Sequence, residues 1–221
     1  MPNVRPSLLD TGRLDTGIIV ITTQFIVSVF LFALAAAISP GPNNVMLMSS
    51  GVNFGFRRSV PLLLGVCIGF PAMFLAIGFG LGTVFQQSPQ LHEIISIIGI
   101  VYLLYLAWRI ARSGEPERAR DIKPLTFLQS AAFQWVNPKA WVMATGAIAA
   151  FTTIEGNIYL QVINLALIFI TAAVPSALTW LFFGLGLQAM LSDPKRLRQF
   201  NYVMAGLLVL SMVPVIMDLL E

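Results

Sequence analysis

A single cysteine and a single histidine in 221 residues remove several chemistries at once. There is no material for an intramolecular disulfide, a CxxC redox pair or a His/Cys metal cluster. Charge is nearly as scarce. Only 10% of residues are Asp, Glu, Lys or Arg, where soluble globular chains run near ~25%. That shortage excludes an ordinary water-soluble domain. A disordered chain is excluded too, because it needs low hydrophobicity and high net charge. The net charge of +3 is too small, and too concentrated in short loops, for nucleic-acid binding. What the chain has is apolar surface: 57% hydrophobic residues and a mean hydropathy of +0.83. One bilayer crossing takes about 20 apolar residues, so the chain reads as an integral membrane protein with room for about six.

Long uncharged runs carry the organisation. Asp15 is the one charge between residue 14 and Arg57-Arg58. Ser59 to Leu91 is uncharged, and Ile94 to Trp108 is apolar up to Arg109 and Arg112. Polar residues cluster in Glu115, Glu117, Arg118, Arg120, Asp121 and Lys123. Beyond them, Leu125 to Thr153 is interrupted by Lys139 alone, Asn157 to Leu191 is uncharged, and Phe200 to Met217 precedes Asp218. Open sheet edges cannot exist in lipid, and these runs are too long for barrel strands. The expected fold is therefore all-α, with six transmembrane helices. The parts are an N-terminal extension (1–22), a first three-span repeat (23–112), a polar cytoplasmic linker (113–124) and a second three-span repeat (125–221).

The cations set the orientation. Arg57 and Arg58 lie between the first two expected spans, Arg109, Arg112, Arg118, Arg120 and Lys123 between the third and fourth, and Lys195, Arg196 and Arg198 between the fifth and sixth. On the other side only Arg5 and Arg13 remain, so the positive-inside rule places both termini in the periplasm. Trp108 beside Arg109 fits an interfacial aromatic belt.

The halves resemble each other in register. Ala35-Ala36 through Pro42-Asn43-Asn44-Val45-Met46-Leu47 parallels Ala131-Ala132 through Pro138-Lys139-Ala140-Trp141-Val142-Met143. Pro71 followed by Phe79-Gly80-Leu81-Gly82 parallels Pro175 followed by Phe183-Gly184-Leu185-Gly186. A repeat with an odd number of spans inserts upside down relative to its partner. Such inverted repeats build secondary transporters, whose sites lie near the midplane at helix breaks.

Two breaks stand out. Ser39-Pro40-Gly41-Pro42-Asn43-Asn44 cannot be continuous helix, because its prolines remove backbone donors and clash with the preceding turn. Its counterpart is Asn137-Pro138-Lys139, midway between Lys123 and Glu155 and hence at bilayer depth. Irregular backbone there must face protein or a water-filled cavity. Half-helices starting near Asn43 and Lys139 would aim free N–H groups and a positive dipole end at a substrate carboxylate. Freed carbonyls with the Asn43, Asn44 and Asn137 side chains suit an ammonium group. The bland reading of the asparagines is helix capping, which is compatible with binding. Lys139 is the only charge well inside a span and a functional candidate by default; the alternative is snorkelling to an interface.

Ser39-Pro40-Gly41-Pro42-Asn43-Asn44, Gly55-Phe56-Arg57-Arg58, Gly65, Gly69 and Asn137-Pro138-Lys139 together resemble the LysE/RhtB family of bacterial amino-acid exporters, over nearly the whole chain from about Phe25. The resemblance implies efflux of amino acids or close derivatives across the bacterial inner membrane by a multi-pass protein, with a homodimer as the expected assembly. The chain departs from the family in its first 22 residues and at Ser59, where glycine is common.

Other readings are weaker. A cleaved signal peptide ending near Ala35-Ala36-Ala37 would remove half of the repeat. Gly65/Gly69 and Ala72/Ala76 have the spacing of close helix packing. Pro71 and Pro175 read as hinges or static kinks, and Arg57 and Arg58 as topology and gating residues at the cytoplasmic rim. An intramembrane enzyme has only Lys139 with Ser49 or Ser50 to offer. A metal-ion exporter lacks an Asp, Glu, His or Cys cluster in the spans. No cofactor or metal is expected, and the partners expected are the amino-acid substrate, the lipid bilayer and a coupling ion. No Asp or Glu lies deep in a span. That leaves a proton on Lys139, or a sodium ion at break carbonyls, as the coupling candidates. The absence of a buried acid favours small neutral amino acids over cationic ones.

Overall fold

A computed structural model describes residues 23–113, 123–153 and 156–219. The expected extension at 1–22 and residues 114–122 of the expected linker lie outside the described residues. Everything regular among the described residues is helix: α1 (Thr23–Ile38), α2 (Pro42–Ala76), α3 (Gly82–Gln87), α4 (Pro89–Arg112), α5 (Phe127–Phe133), α6 (Pro138–Phe151), α7 (Ile158–Gln188), α8 (Pro194–Leu210) and α9 (Val213–Asp218). A π-helical turn (Ile77–Leu81) continues α2, and a 3₁₀ turn (Gln134–Val136) follows α5. Three described helical stretches are long and apolar enough to cross a membrane: Pro42–Leu81, Glu93–Arg112 and Ile158–Gln188.

The first of these cannot be straight. Its 40 residues would extend about 60 Å, twice the hydrocarbon thickness of ~30 Å. The chain turns back at Gly55, whose φ of 75° and ψ of 176° lie outside the helical region. The Ser50 and Ser59 hydroxyls, nine residues apart, are 2.7 Å from each other, where a straight helix would hold them about 13 Å apart. Ser59 Oγ also donates to the Gly55 carbonyl at 2.8 Å. A Cβ at Gly55 would meet nothing within 4 Å. Glycine is needed here for its backbone alone. α2 is thus two helices: a short arm, 42–54, and a long one from 56 onward. Arg57 and Arg58 stand exposed just past the turn.

Packing in lipid lacks a hydrophobic drive between helices and relies on close approach through small residues. The short arm of α2 lies against α7. A Cβ on Gly51 would fall 2.6 Å from the Leu181 carbonyl oxygen, and one on Gly184 would fall 2.2 Å from that of Met48. The long arm of α2 meets α5 in the same way: Gly65 abuts Phe127 and Ser130, and Gly69 abuts Ala131. α1 lies along α7, and α4 along α8. The matched glycines of the repeat serve different ends, since Gly80 takes a φ of 122° in open space while Gly184 is sterically confined.

Two apolar clusters result. One joins α2, α4, α7 and α8 through Leu47, Leu62, Leu103, Leu181 and Leu208. The other joins α1, the long arm of α2, α6 and α7 through Val29, Ala33, Phe74, Ala144 and Phe169. Outside them, Ile94, Ile98, Val101, Tyr105 and Trp108 leave one face of α4 exposed. Such a patch would aggregate in water and suits hydrocarbon.

Candidate functional site

Both expected breaks are present. α1 stops at Ile38 and α2 resumes at Pro42; α5 and its 3₁₀ turn stop at Val136 and α6 resumes at Pro138. In each case proline occupies the first position of the new helix, where its fixed φ helps and its missing donor costs nothing. Asn137 is extended (φ −87°, ψ 106°), as the residue before proline prefers.

The first break exposes the C-terminal carbonyls of α1, which have no intrahelical partners. Each receives a donor. Ser39 Oγ donates to Ala36 at 2.8 Å, Asn44 Nδ2 to Ala37 and Ser39 at 2.8 Å each, and Trp180 Nε1 of α7 to Ile38 at 3.2 Å. Lys139 Nζ completes the set, donating to the Ser39 carbonyl at 2.6 Å, the Ser39 hydroxyl at 2.8 Å and the Pro40 carbonyl at 3.3 Å. An ammonium has three protons, and here three oxygens take them. The negative end of the α1 dipole adds to the attraction. Lys139 therefore closes the first break from the second half of the chain.

Asn43 makes the reverse crossing. Its Nδ2 donates to Gln134 Oε1 at 2.8 Å, and Gln134 Nε2 returns a bond to Asn43 Oδ1 at 3.0 Å. Gln134 also donates to the Ser130 carbonyl at 3.0 Å and is fully buried. Asn43 and Lys139 are each the second residue of their helix, and each reaches the other break. Gly41 makes room for this. A Cβ there would lie 2.7 Å from Lys139 Cδ.

A cavity of about 50 Å³ opens beside these contacts, enough for roughly three to five waters. It lies where the two apolar clusters meet, with Val66 and Ala177 on one side and Phe70, Ala140 and Phe169 on the other. Gly41, Asn43, Asn44, Asn137 and Lys139 line it. Pro40 is exposed and touches the site through its carbonyl; Pro42 and Pro138 start the two helices behind it. Arg57, Arg58, Pro71 and Pro175 are not among its lining residues. Pro71 and Pro175 instead precede or follow residues that are, Ser176 after Pro175 and Phe70 before Pro71.

Two of the lining residues carry a buried polar atom without a partner among the described residues, Asn137 Oδ1 and Ser176 Oγ; each residue is 2% exposed. Ser176, Gln134 and Trp180 carried no functional signal in the sequence. A lone serine or glutamine in an apolar run has no signal of its own, and only the fold supplies its partner.

The family model for LysE type translocators matches residues 16–218. A cysteine/O-acetylserine efflux protein of Shigella flexneri serotype 5b (strain 8401) is 30% identical over 191 residues, covering 85% of this chain and 95% of the relative. The cysteine/O-acetylserine efflux protein of Escherichia coli (strain K12) is 29% identical over the same length and coverage. No solved structure matches the chain. With matched residues extending over nearly its whole length, the chain belongs to the LysE type translocator family and is a membrane transporter, not an enzyme.

Proposed function

We propose that this protein is a secondary transporter that exports small neutral amino acids or close derivatives from the cytoplasm across the bacterial inner membrane. The observation that carries the reading is the mutual crossing of Asn43 and Lys139 at a cavity between two broken helices. The relatives named for cysteine/O-acetylserine efflux support a small substrate. A cavity wall of Ala36, Ala37, Ala140, Ala173 and Ala177 supports the same size class, and among the described residues the lining includes no carboxylate to balance a cationic side chain.

Substrate binding works by exchange. Lys139 is held by neutral carbonyl and hydroxyl oxygens, and a carboxylate, which brings a full negative charge to the ammonium, is the stronger acceptor. The arriving carboxylate takes the ammonium from Ser39 and Pro40 and is met by the amides opening α2 and α6. Asn137, with Asn43 and Asn44, faces the amino group. Loss of the lysine frees the C-terminal end of α1 from α6. That is the differential contact a conformational change requires. Pro71 and Pro175 act as hinges of α2 and α7, and Arg57 and Arg58 fix the cytoplasmic side of the Gly55 turn. A proton on Lys139, or sodium at the break carbonyls, couples export to a gradient.

The architecture proposed is six crossings in two inverted repeats of three, with both termini periplasmic. α1 with the short arm of α2 forms the first crossing, and α5 with α6 the fourth. Support comes from the matched proline-opened half-helices and from the parallel placement of α1 on α7 and α5 on the long arm of α2. The apolar faces left to lipid suit a homodimer. Cells overproducing the protein should accumulate small neutral amino acids in the medium, measured by amino-acid analysis. An unchanged extracellular profile would reject the reading.

A further inference from the structure

Serine and threonine inside helices ordinarily satisfy their hydroxyls on the carbonyl four residues back. This chain does so repeatedly: Ser59 on Gly55, Ser130 on Thr126, Thr145 on Trp141, Thr152 on Ile148 and Thr179 on Pro175. Ser176, between these last two along the chain's apolar second half, does not. Its hydroxyl is buried and has no partner among the described residues, and the residue lines the cavity. Asn137, whose Oδ1 is the second such atom, lines the same cavity. A buried hydroxyl or amide left unpaired costs about 1–3 kcal/mol. Two at one cavity call for a ligand that supplies the missing bonds.

The other polar side chains of the lining already have partners before substrate arrives. Asn43 is paired with Gln134, Asn44 caps α1, and Lys139 is held by Ser39 and Pro40. Asn137 and Lys139 sit together at the start of α6, so they can read the adjacent amino and carboxylate groups common to every amino acid. Ser176 belongs to α7, on another wall, among Phe169, Ala173 and Ala177. From there it meets what differs between amino acids.

We infer that Ser176 is a specificity-determining residue whose hydroxyl bonds the polar atom of a short side chain, so that the transporter selects amino acids bearing a hydroxyl, thiol or ester oxygen on the β-carbon over their plain apolar counterparts. The inference rests on the amino-acid export reading above. Ser176→Ala tests it, using wild-type and variant protein in inverted membrane vesicles with labelled serine and labelled alanine, alongside thermal unfolding of both purified proteins. The wild type should prefer serine. The variant should lose about three- to tenfold in apparent affinity for serine, the worth of one neutral hydrogen bond, and nothing for alanine. Its unfolding midpoint should stay level or rise, because the substitution removes an unpaired buried hydroxyl. An unchanged serine preference overturns the inference and leaves the export reading standing. A lowered midpoint with equal losses for both substrates also overturns it, making Ser176 structural. Transport of neither amino acid by the wild type rejects the export reading, and the inference falls with it.

Discussion

Asn43 and Lys139 hold the same position, second residue of a helix opened by proline, and each bonds across to the break from which the other departs: Asn43 to Gln134 at 2.8 Å and Lys139 to Ser39 at 2.6 Å. The two breaks are therefore one polar unit. Satisfying one end of it depends on side chains delivered by the other half of the chain, which ties the folding of the site to the docking of the halves.

The amide pair gives the cleanest stability test. Asn43→Ala leaves Gln134 buried without its partner, and Gln134→Ala does the same to Asn43. Each should cost about 1–3 kcal/mol. The double variant should cost less than the sum by at least ~0.5 kcal/mol. Thermal unfolding in detergent measures this, and strict additivity would mean the pair is not coupled.

Gly41→Ala probes the lysine without touching its charge. The new Cβ would stand 2.7 Å from Lys139 Cδ, so the side chain must leave its present track. Transport affinity should fall while membrane levels hold. Gly146→Ala in α6, where a Cβ meets nothing within 4 Å, is the control and should transport normally. Equal behaviour of the two variants in a transport assay would show that the path of the lysine over Gly41 is immaterial.

How far the sequence already spoke differs by feature. The breaks were legible because proline's missing N–H and fixed φ are local facts. The apolar runs were legible because lipid demands them. The close packing at Gly65 and Gly69 followed from spacing, and their meeting with α5 gives it a surface. Gln134 and Trp180 were illegible because their partners lie 91 and 142 positions away, and Ser176 because its place on the cavity is set by residues of other helices. Lys139 was legible as important, and its three oxygen partners on the first break were not, since they lie 99 and 100 residues back.

Gly55→Ala should damage folding through the backbone alone. A φ of 75° with ψ of 176° is strained for any residue with a Cβ, by about 1–3 kcal/mol. Lower membrane levels and a lower unfolding midpoint are expected, together with loss of the Ser50–Ser59 contact. A fully stable variant would mean the turn tolerates side chains.

Topology is read by reporter fusions. A reporter at Glu221 should register the periplasm and one at Glu117 the cytoplasm, following the placement of Arg57, Arg58, Arg109, Arg112, Lys195, Arg196 and Arg198. A cytoplasmic C-terminus would overturn both the orientation and the count of six crossings.

The central claim is that Lys139 and the two breaks hold an amino-acid substrate. Uptake of labelled serine and O-acetylserine into inverted membrane vesicles, comparing the wild type with Lys139→Met, tests it most directly. Methionine keeps the length and apolar stem and deletes the charge. The account predicts saturable uptake by the wild type and an apparent affinity about ten- to a hundred-fold weaker in the variant at equal membrane levels, the worth of a charge-assisted hydrogen bond. Unchanged affinity and rate in Lys139→Met would contradict it.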